Sequence, residues 1–343
     1  MKNLSQLELT SRWPKNHPMF DTRINMYPIG NLKNLWCLRI DCDYGVKDEF
    51  LINLCNNAKK LALLTVTGTN ISDIELETLN ISNCINVTDK SVLLYYLIGT
   101  YKRPIVSLIN GLAMGASMGI FFHGKYSVAT ETTQCGVPEV LVGLIPGFGA
   151  SHLFQKKLEG QLGLYLSLTG RSLKGVDVKL TGIATHYVSS SKLPEVTKAL
   201  LAPGDGDVKK ILDEYDEQDP HAESCLSKYT KQLDECFSGD SVEDIIQRLK
   251  NDDSEWSQGV LKLLDKISPT SLKVAKKAFE KEKELGLVES LKMEFIVAQN
   301  MMIKKSDFEE GVRAQIIDKD YKPSWNPPTL DQVTDKYVEN CRN

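Results

Sequence analysis

A chain of 343 residues, 42% hydrophobic and 25% charged, holds enough apolar material to bury a large core as one domain or two. Its net charge of −4 gives no electrostatic reason for a nucleic acid to be the main partner, and no apolar run reaches the length needed to cross a bilayer. Eight cysteines without a C-x-x-C pair read as reduced thiols of an intracellular compartment, and His123, His152 and His186 form no short-spaced set that would hold a metal.

Residues 1–30 mix Pro14, Pro18 and Pro28 with charge and aromatics and show no period, which predicts an extended N-terminal arm. Trp13, Met19, Phe20, Met26 and Tyr27 are too apolar for a free tail and predict contact with a neighbouring surface. The first fifteen residues carry Glu8 and few arginines, a poor mitochondrial presequence. Next come a predicted strand at 35–41, a helix at 47–60, a strand at 61–67, a polar loop at 74–86 and an apolar helix at 91–101. The run 105–109 has the length of a buried strand and leads into Asn110 and then Gly111, Gly115 and Gly119, spaced four apart. A helix starting near Gly115 would bring Gly115 and Gly119 to one face, and its first amides could hold a developing negative charge.

A strand at 126–130 follows, and then Val137-Pro138-Glu139 leads into the glycine-containing segment 143–147. Glu139 is a lone carboxylate in apolar surroundings, and two readings of it stand side by side. Poor solvation of the charged form would raise its pKa into the range useful for proton transfer, or it is a turn glutamate facing water. Ser151 beside His152 does not form a nucleophile elbow. Helices are predicted at 150–158, 163–168, 241–249 and 256–267, another is capped by Ser268 with Pro269 in its first turn, and Leu291, Phe295, Ala298 and Met302 give 290–302 an apolar face. The acidic, glycine-containing stretch 203–220 reads as a linker or exposed loop. The expected organisation is an arm (1–30), a core (31–200), an acidic linker (201–222), a helical region (223–330) and a tail (331–343).

Several segments, in order, carry a family resemblance. They are K-R-P-I-V-S-L-I-N-G at 102–111, M-G-A-S-M-G at 114–119, V-P-E at 137–139, G-L-I-P-G-F-G at 143–149, I-S-P-T-S-L-K at 267–273 and D-F-E-E-G-V-R-A-Q-I-I-D-K-D-Y-K-P-S-W-N-P-P at 307–328. Together they resemble the crotonase (enoyl-CoA hydratase/isomerase) superfamily, and within it the 3-hydroxyisobutyryl-CoA hydrolase branch. The resemblance runs from about Leu35 to Pro328 and is strongest after Lys102. It implies an α/β fold, a crotonase-like spiral of ββα repeats with a helical C-terminal region. It also implies an acyl-CoA thioester as ligand, no cofactor, no metal and a mitochondrial location. By the same resemblance Glu139 is the residual acid–base residue, and Gly115 with the N–H of Ala116 supplies one oxyanion donor. Lys319 and Lys322 are candidates for CoA phosphates, although a solvated charged face accounts for them as well.

The departures from the family pattern lie around the same chemistry. Residues 68–74 replace a C-A-G-G-D type loop without its paired glycines, and Asp41 to Gly45 stand where N-R-P-x-x-x-N-A-L is usual. Ser91 falls where the branch has a glutamate, and Gly147 replaces an aspartate eight residues past Glu139. The expectation is therefore a hydrolase-like protein with a degraded site, kept as a structural subunit of the mitochondrial small ribosomal subunit through protein partners. An active thioester hydrolase using Glu139, or a non-catalytic acyl-CoA binder, is the alternative.

Overall fold

The computed structural model describes residues 6–10, 37–41, 63–66, 95–102, 104–202, 207–217, 223–303 and 306–342. Its strands in chain order are β1 (Gln6–Thr10), β2 (Cys37–Asp41), β3 (Leu63–Val66), β4 (Val106–Ile109), β5 (Leu112–Met114), β6 (Tyr126–Ala129), β7 (Gln134–Gly136), β8 (Ser172–Lys174) and β9 (His186–Tyr187). They fall into two compact units that interleave along the chain, one of residues 1–113, 120–133 and 184–220, the other of 114–119, 134–183 and 221–343.

In the first unit β1, β2 and β3 form a parallel sheet, with Cys37 opposite Gln6 on one side and Leu63 on the other. A second parallel sheet has the order β4–β6–β9, with Val106 opposite Tyr126 and Val128 opposite His186. Every residue of β4 and β6 is buried, as in a parallel strand covered on both faces. Val106, Leu108, Tyr126 and Val128 pack with Val188, Val196 and Leu212 in one core. Two expectations change here. Gln6–Thr10 is a paired strand, so that part of the N-terminal arm belongs to a sheet. The expected linker contains the helix Val208–Tyr215, whose Leu212 is fully buried; its acidic residues had hidden one good apolar anchor. Asp216 and Glu217 then accept hydrogen bonds from the backbone N–H groups of Tyr187 and Ser189, so the acidic residues close the structure.

In the second unit β7 and β8 pair antiparallel, with Cys135 opposite Leu173. Around them lie the helices Ala150–Lys157, Leu162–Thr169, Thr230–Phe237, Val242–Asp252, Glu255–Leu264, Pro269–Lys281, Leu287–Met301, Asp307–Val312 and Asp335–Arg342. Leu162–Thr169 reads as apolar on all sides because it is the central helix; residues 163–169 are all buried. Its Tyr165 ring meets Phe237 edge-on at 5.3 Å. Ser241, Ser254 and Ser268 accept from the N–H of Asp244, Ser257 and Ser271, and Ser268 is the cap the sequence predicts.

Residues 31–200 contribute to both units, and the expected tail forms the helix Asp335–Arg342, which buries Val338 and Cys341. The mixed α/β architecture with a helical C-terminal region stands. In chain order β4 and β5 are followed by the helix Ser117–Phe122, and β6 and β7 by the helical turn Pro138–Val142, the repeat order expected.

Candidate functional site

The second unit builds its site from Met114 onward. Gly115 does not begin a helix as expected; it holds a left-handed φ of +55°, and the helix starts at Ser117. The N–H of Gly115 donates to the carbonyl of Gly136 at 2.8 Å, which ties this turn to the end of β7. Ser117 Oγ donates back to the Met114 carbonyl, closing a tight turn with Ala116 inside it. Three residues after Gly136, Pro138 occupies the first turn of a helical segment, where its missing N–H costs nothing. Gly143, at φ +77°, ends that segment, and the Glu139 carbonyl accepts from Leu144 N–H at 3.0 Å.

Glu139 is brought against Gly115. A Cβ on Gly115 would stand 3.0 Å from Glu139 Oε1, so the glycine is required both for its backbone angle and for the space the carboxyl uses. Glu139 as a residue keeps some exposure, but its two carboxyl oxygens are shut off from solvent and have no hydrogen-bond partner. The oxygens decide where the charge would sit, so the burial of the oxygens governs its ionisation. Loss of solvation pushes the carboxyl up to about 8; its own amide N–H, too poorly placed for a hydrogen bond, offsets part of this. Of the two sequence readings, the buried acid is the one observed.

Gly147 lies in the same unit and is a glycine of a different kind. It has no left-handed φ, and among the described residues a Cβ there would meet nothing within 4 Å. The described surroundings leave room for a side chain there. Phe148 and Gly149 that follow are left-handed, at φ 61° and 79°. Their helix, Ala150–Lys157, begins under a carboxyl the sequence reading missed. Glu294, buried at 2% exposure, accepts from the N–H groups of Gly149 and Ser151 at 2.5 and 3.2 Å. Burial, and then the charge of neighbouring Glu282, push Glu294 well above the usual carboxylate range. Glu282 is itself fully buried, takes a hydrogen bond from Ser290 Oγ at 2.9 Å, and lies 3.6 Å from His152 Nδ1. The buried residues of the helix Leu287–Met301 are Ser290, Leu291, Glu294, Val297 and Met301, whereas the sequence suggested Leu291, Phe295, Ala298 and Met302. Glu294 was legible as the polar member three residues from Leu291 and three from Val297, on their stripe.

Ser91, the loop 68–74, the segment 42–45 and the predicted helix 47–60 lie outside the described residues. Lys319 sits at φ 55° in a charged turn, where Arg313 pairs with Glu310, Asp318 and Asp320 and donates to the carbonyl of Lys322. Among the described residues no group of three or more His, Cys, Asp or Glu is placed to hold a metal.

Residues 68–341 match the family model described as enoyl-CoA hydratase/isomerase. The chain is 42% identical over 250 residues to the mitochondrial 3-hydroxyisobutyryl-CoA hydrolase of Danio rerio, covering 71% of this chain and 65% of that protein. It is 39% identical over 249 residues to the Homo sapiens protein of the same name, covering 71% and 64%. The match thus spans just under two thirds of each relative's length. Among solved structures, a carnitinyl-CoA dehydratase from Mycobacterium thermoresistibile superposes with a TM-score of 0.76 at 28% identity, over 87% of this chain and 89% of that one. An enoyl-CoA hydratase from Rhodobacter sphaeroides 2.4.1 shares the fold at a TM-score of 0.73 and 24% identity, over 87% and 90%. The spiral of ββα repeats, the Glu139 turn and these matches give one conclusion: the chain belongs to the crotonase (enoyl-CoA hydratase/isomerase) family, in its 3-hydroxyisobutyryl-CoA hydrolase branch.

Proposed function

We propose that this chain is a hydrolase-like protein that keeps an acyl-CoA thioester site around Gly115, Ala116 and Glu139 but hydrolyses thioesters poorly. One contrast carries the reading: Glu139 is buried and unpaired, while Gly147 supplies no carboxylate where the described residues would leave room for one. Hydrolysis needs a water to lose a proton as it attacks the carbonyl carbon. The C–S bond then breaks, and the leaving sulfur takes up a proton. An acid with a pKa of about 8 is mostly protonated at pH 7. It is suited to giving a proton to the sulfur and poorly suited to taking one from water. A glycine at 147 can neither orient that water nor accept its proton. The Ala116 N–H would meet the thioester oxygen, while the sequence 68–74 lacks the paired glycines of the family pattern; losing one oxyanion donor costs roughly 10²–10³ in rate.

The full chain is to be incubated with 3-hydroxyisobutyryl-CoA and released CoA measured by chromatography. The expected turnover is about 10² or more below that of an ordinary enzyme, whose median is about 10 per second. Turnover at the ordinary rate, abolished by Glu139→Gln, overturns the reading. Gly147→Asp alone is expected to leave the rate low; full recovery would show that the loop 68–74 retains its donor.

The companion proposal is a structural place in the mitochondrial small ribosomal subunit. It is supported by the family resemblance and by the mitochondrial location in the relatives' names. Co-sedimentation of the native protein with the small subunit is its expected outcome, and recovery only in light fractions defeats it.

A further inference from the structure

Two glycines far apart in sequence make one contact. A Cβ on Gly143 would lie 2.4 Å from both the backbone C and O of Asp307 and 2.7 Å from Phe308 N. A Cβ on Gly311 would lie 2.4 Å from the carbonyl carbon of Val142, 2.5 Å from its Cα and 2.6 Å from its O. The turn Pro138–Val142 and the helix Asp307–Val312 therefore touch backbone to backbone, each glycine making room for the other element. Such a contact cannot slide; any side chain at either position must separate the two chains.

The helix is in turn pegged by its first residue. The buried Asp307 carboxylate accepts from Ser268 Oγ at 2.5 Å and from Asn326 N–H at 2.8 Å. The Ser268 oxygen also takes the N–H of Ser271, so the peg is fixed to the start of the helix Pro269–Lys281. Glu139 is thus held from two sides: Gly115 faces its carboxyl, and the C-terminal helix backs the turn that carries it.

We propose that the helix Asp307–Val312 positions Glu139, with Gly311 and Gly143 as the contact and Asp307 as the peg that fixes the depth of the carboxyl. This rests on the reading of Glu139 as the proton-carrying group of the site. Its test reads the carboxyl directly, so that absence of turnover leaves it intact.

The measurement is the titration of Glu139 by carboxyl-carbon NMR of glutamate-labelled full chain, the signal assigned by its loss in Glu139→Gln. The wild type should titrate near 8. Gly311→Ala must displace Val142, loosen the turn and admit water, so its midpoint should fall by about one unit or more. Asp307→Asn keeps the shape but weakens the peg, and should lower the midpoint by less. The control is Gly259→Ala: a Cβ there meets nothing within 4 Å, and the midpoint should stay at the wild-type value. Should Gly311→Ala fail to fold, Asp307→Asn decides alone. A folded Gly311→Ala or, failing that, an Asp307→Asn protein with the wild-type midpoint overturns the proposal.

Discussion

Two carboxyl groups of the first unit, Glu131 and Asp213, and two of the second, Glu139 and Glu294, live under opposite rules. In the first unit Glu131 takes hydrogen bonds from the hydroxyl and N–H of Ser190, and Asp213 takes them from Lys209 and His186; these donors hold both acids below their usual range. In the second unit burial pushes Glu139 and Glu294 upward, and Glu139 has only its own poorly placed amide N–H to offset part of it. Surface carboxylates that find donors serve the fold. An unpaired buried carboxyl costs stability and is kept by a site that uses it.

The largest expected effect is at Glu139. Between 4.5 and about 8 the folded chain holds a proton that the unfolded chain has released, so this group makes stability fall as pH rises through that window. At 1.36 kcal/mol per unit the full cost is on the order of 5 kcal/mol, reached above pH 8. Glu139→Gln should therefore equal the wild type below pH 4.5 and exceed it increasingly up to pH 9 in urea unfolding. Curves that superpose at every pH would abolish the contrast between the units.

Next comes Glu294. Replacing it with alanine leaves the N–H groups of Gly149 and Ser151 unpaired in a buried place and opens a hole, an expected loss of about 2–3 kcal/mol. Glu294→Gln keeps an acceptor and should cost less. An alanine variant as stable as wild type would mean that water already serves those amides. The smallest effect belongs to Asp213→Asn, a surface change. Its difference from wild type in Tm should be slight, present above pH 3.8 and fading below, because the lowered acid adds stability only while ionised. A large loss at neutral pH would mean that the first unit depends on ion pairs as strongly as the second depends on burial.

Glycine shows the same limit on what a sequence tells. Gly115, Gly143 and Gly147 look alike on paper, yet the first two are demanded by a positive φ and a close approach, while Gly147 is free of both. Family motifs marked all three positions; only the surroundings sorted them. The charge of 203–220 likewise concealed Leu212, the fully buried residue of its helix, which packs on the core with Val208 and Tyr215.

Local signals were enough for β4, β6 and the serine-capped helices, because a strand's apolar run and a cap's spacing are properties of neighbours in the chain. The ordered motifs were enough for the family. The acidity of Glu139, the capping role of Glu294 and the contact of Gly143 with Asp307 came only from the tertiary structure. Desolvation and backbone contact depend on groups distant in sequence meeting in space, 24 residues apart for Gly115 and Glu139 and more than a hundred for Gly143 and Asp307, and no local window contains both partners.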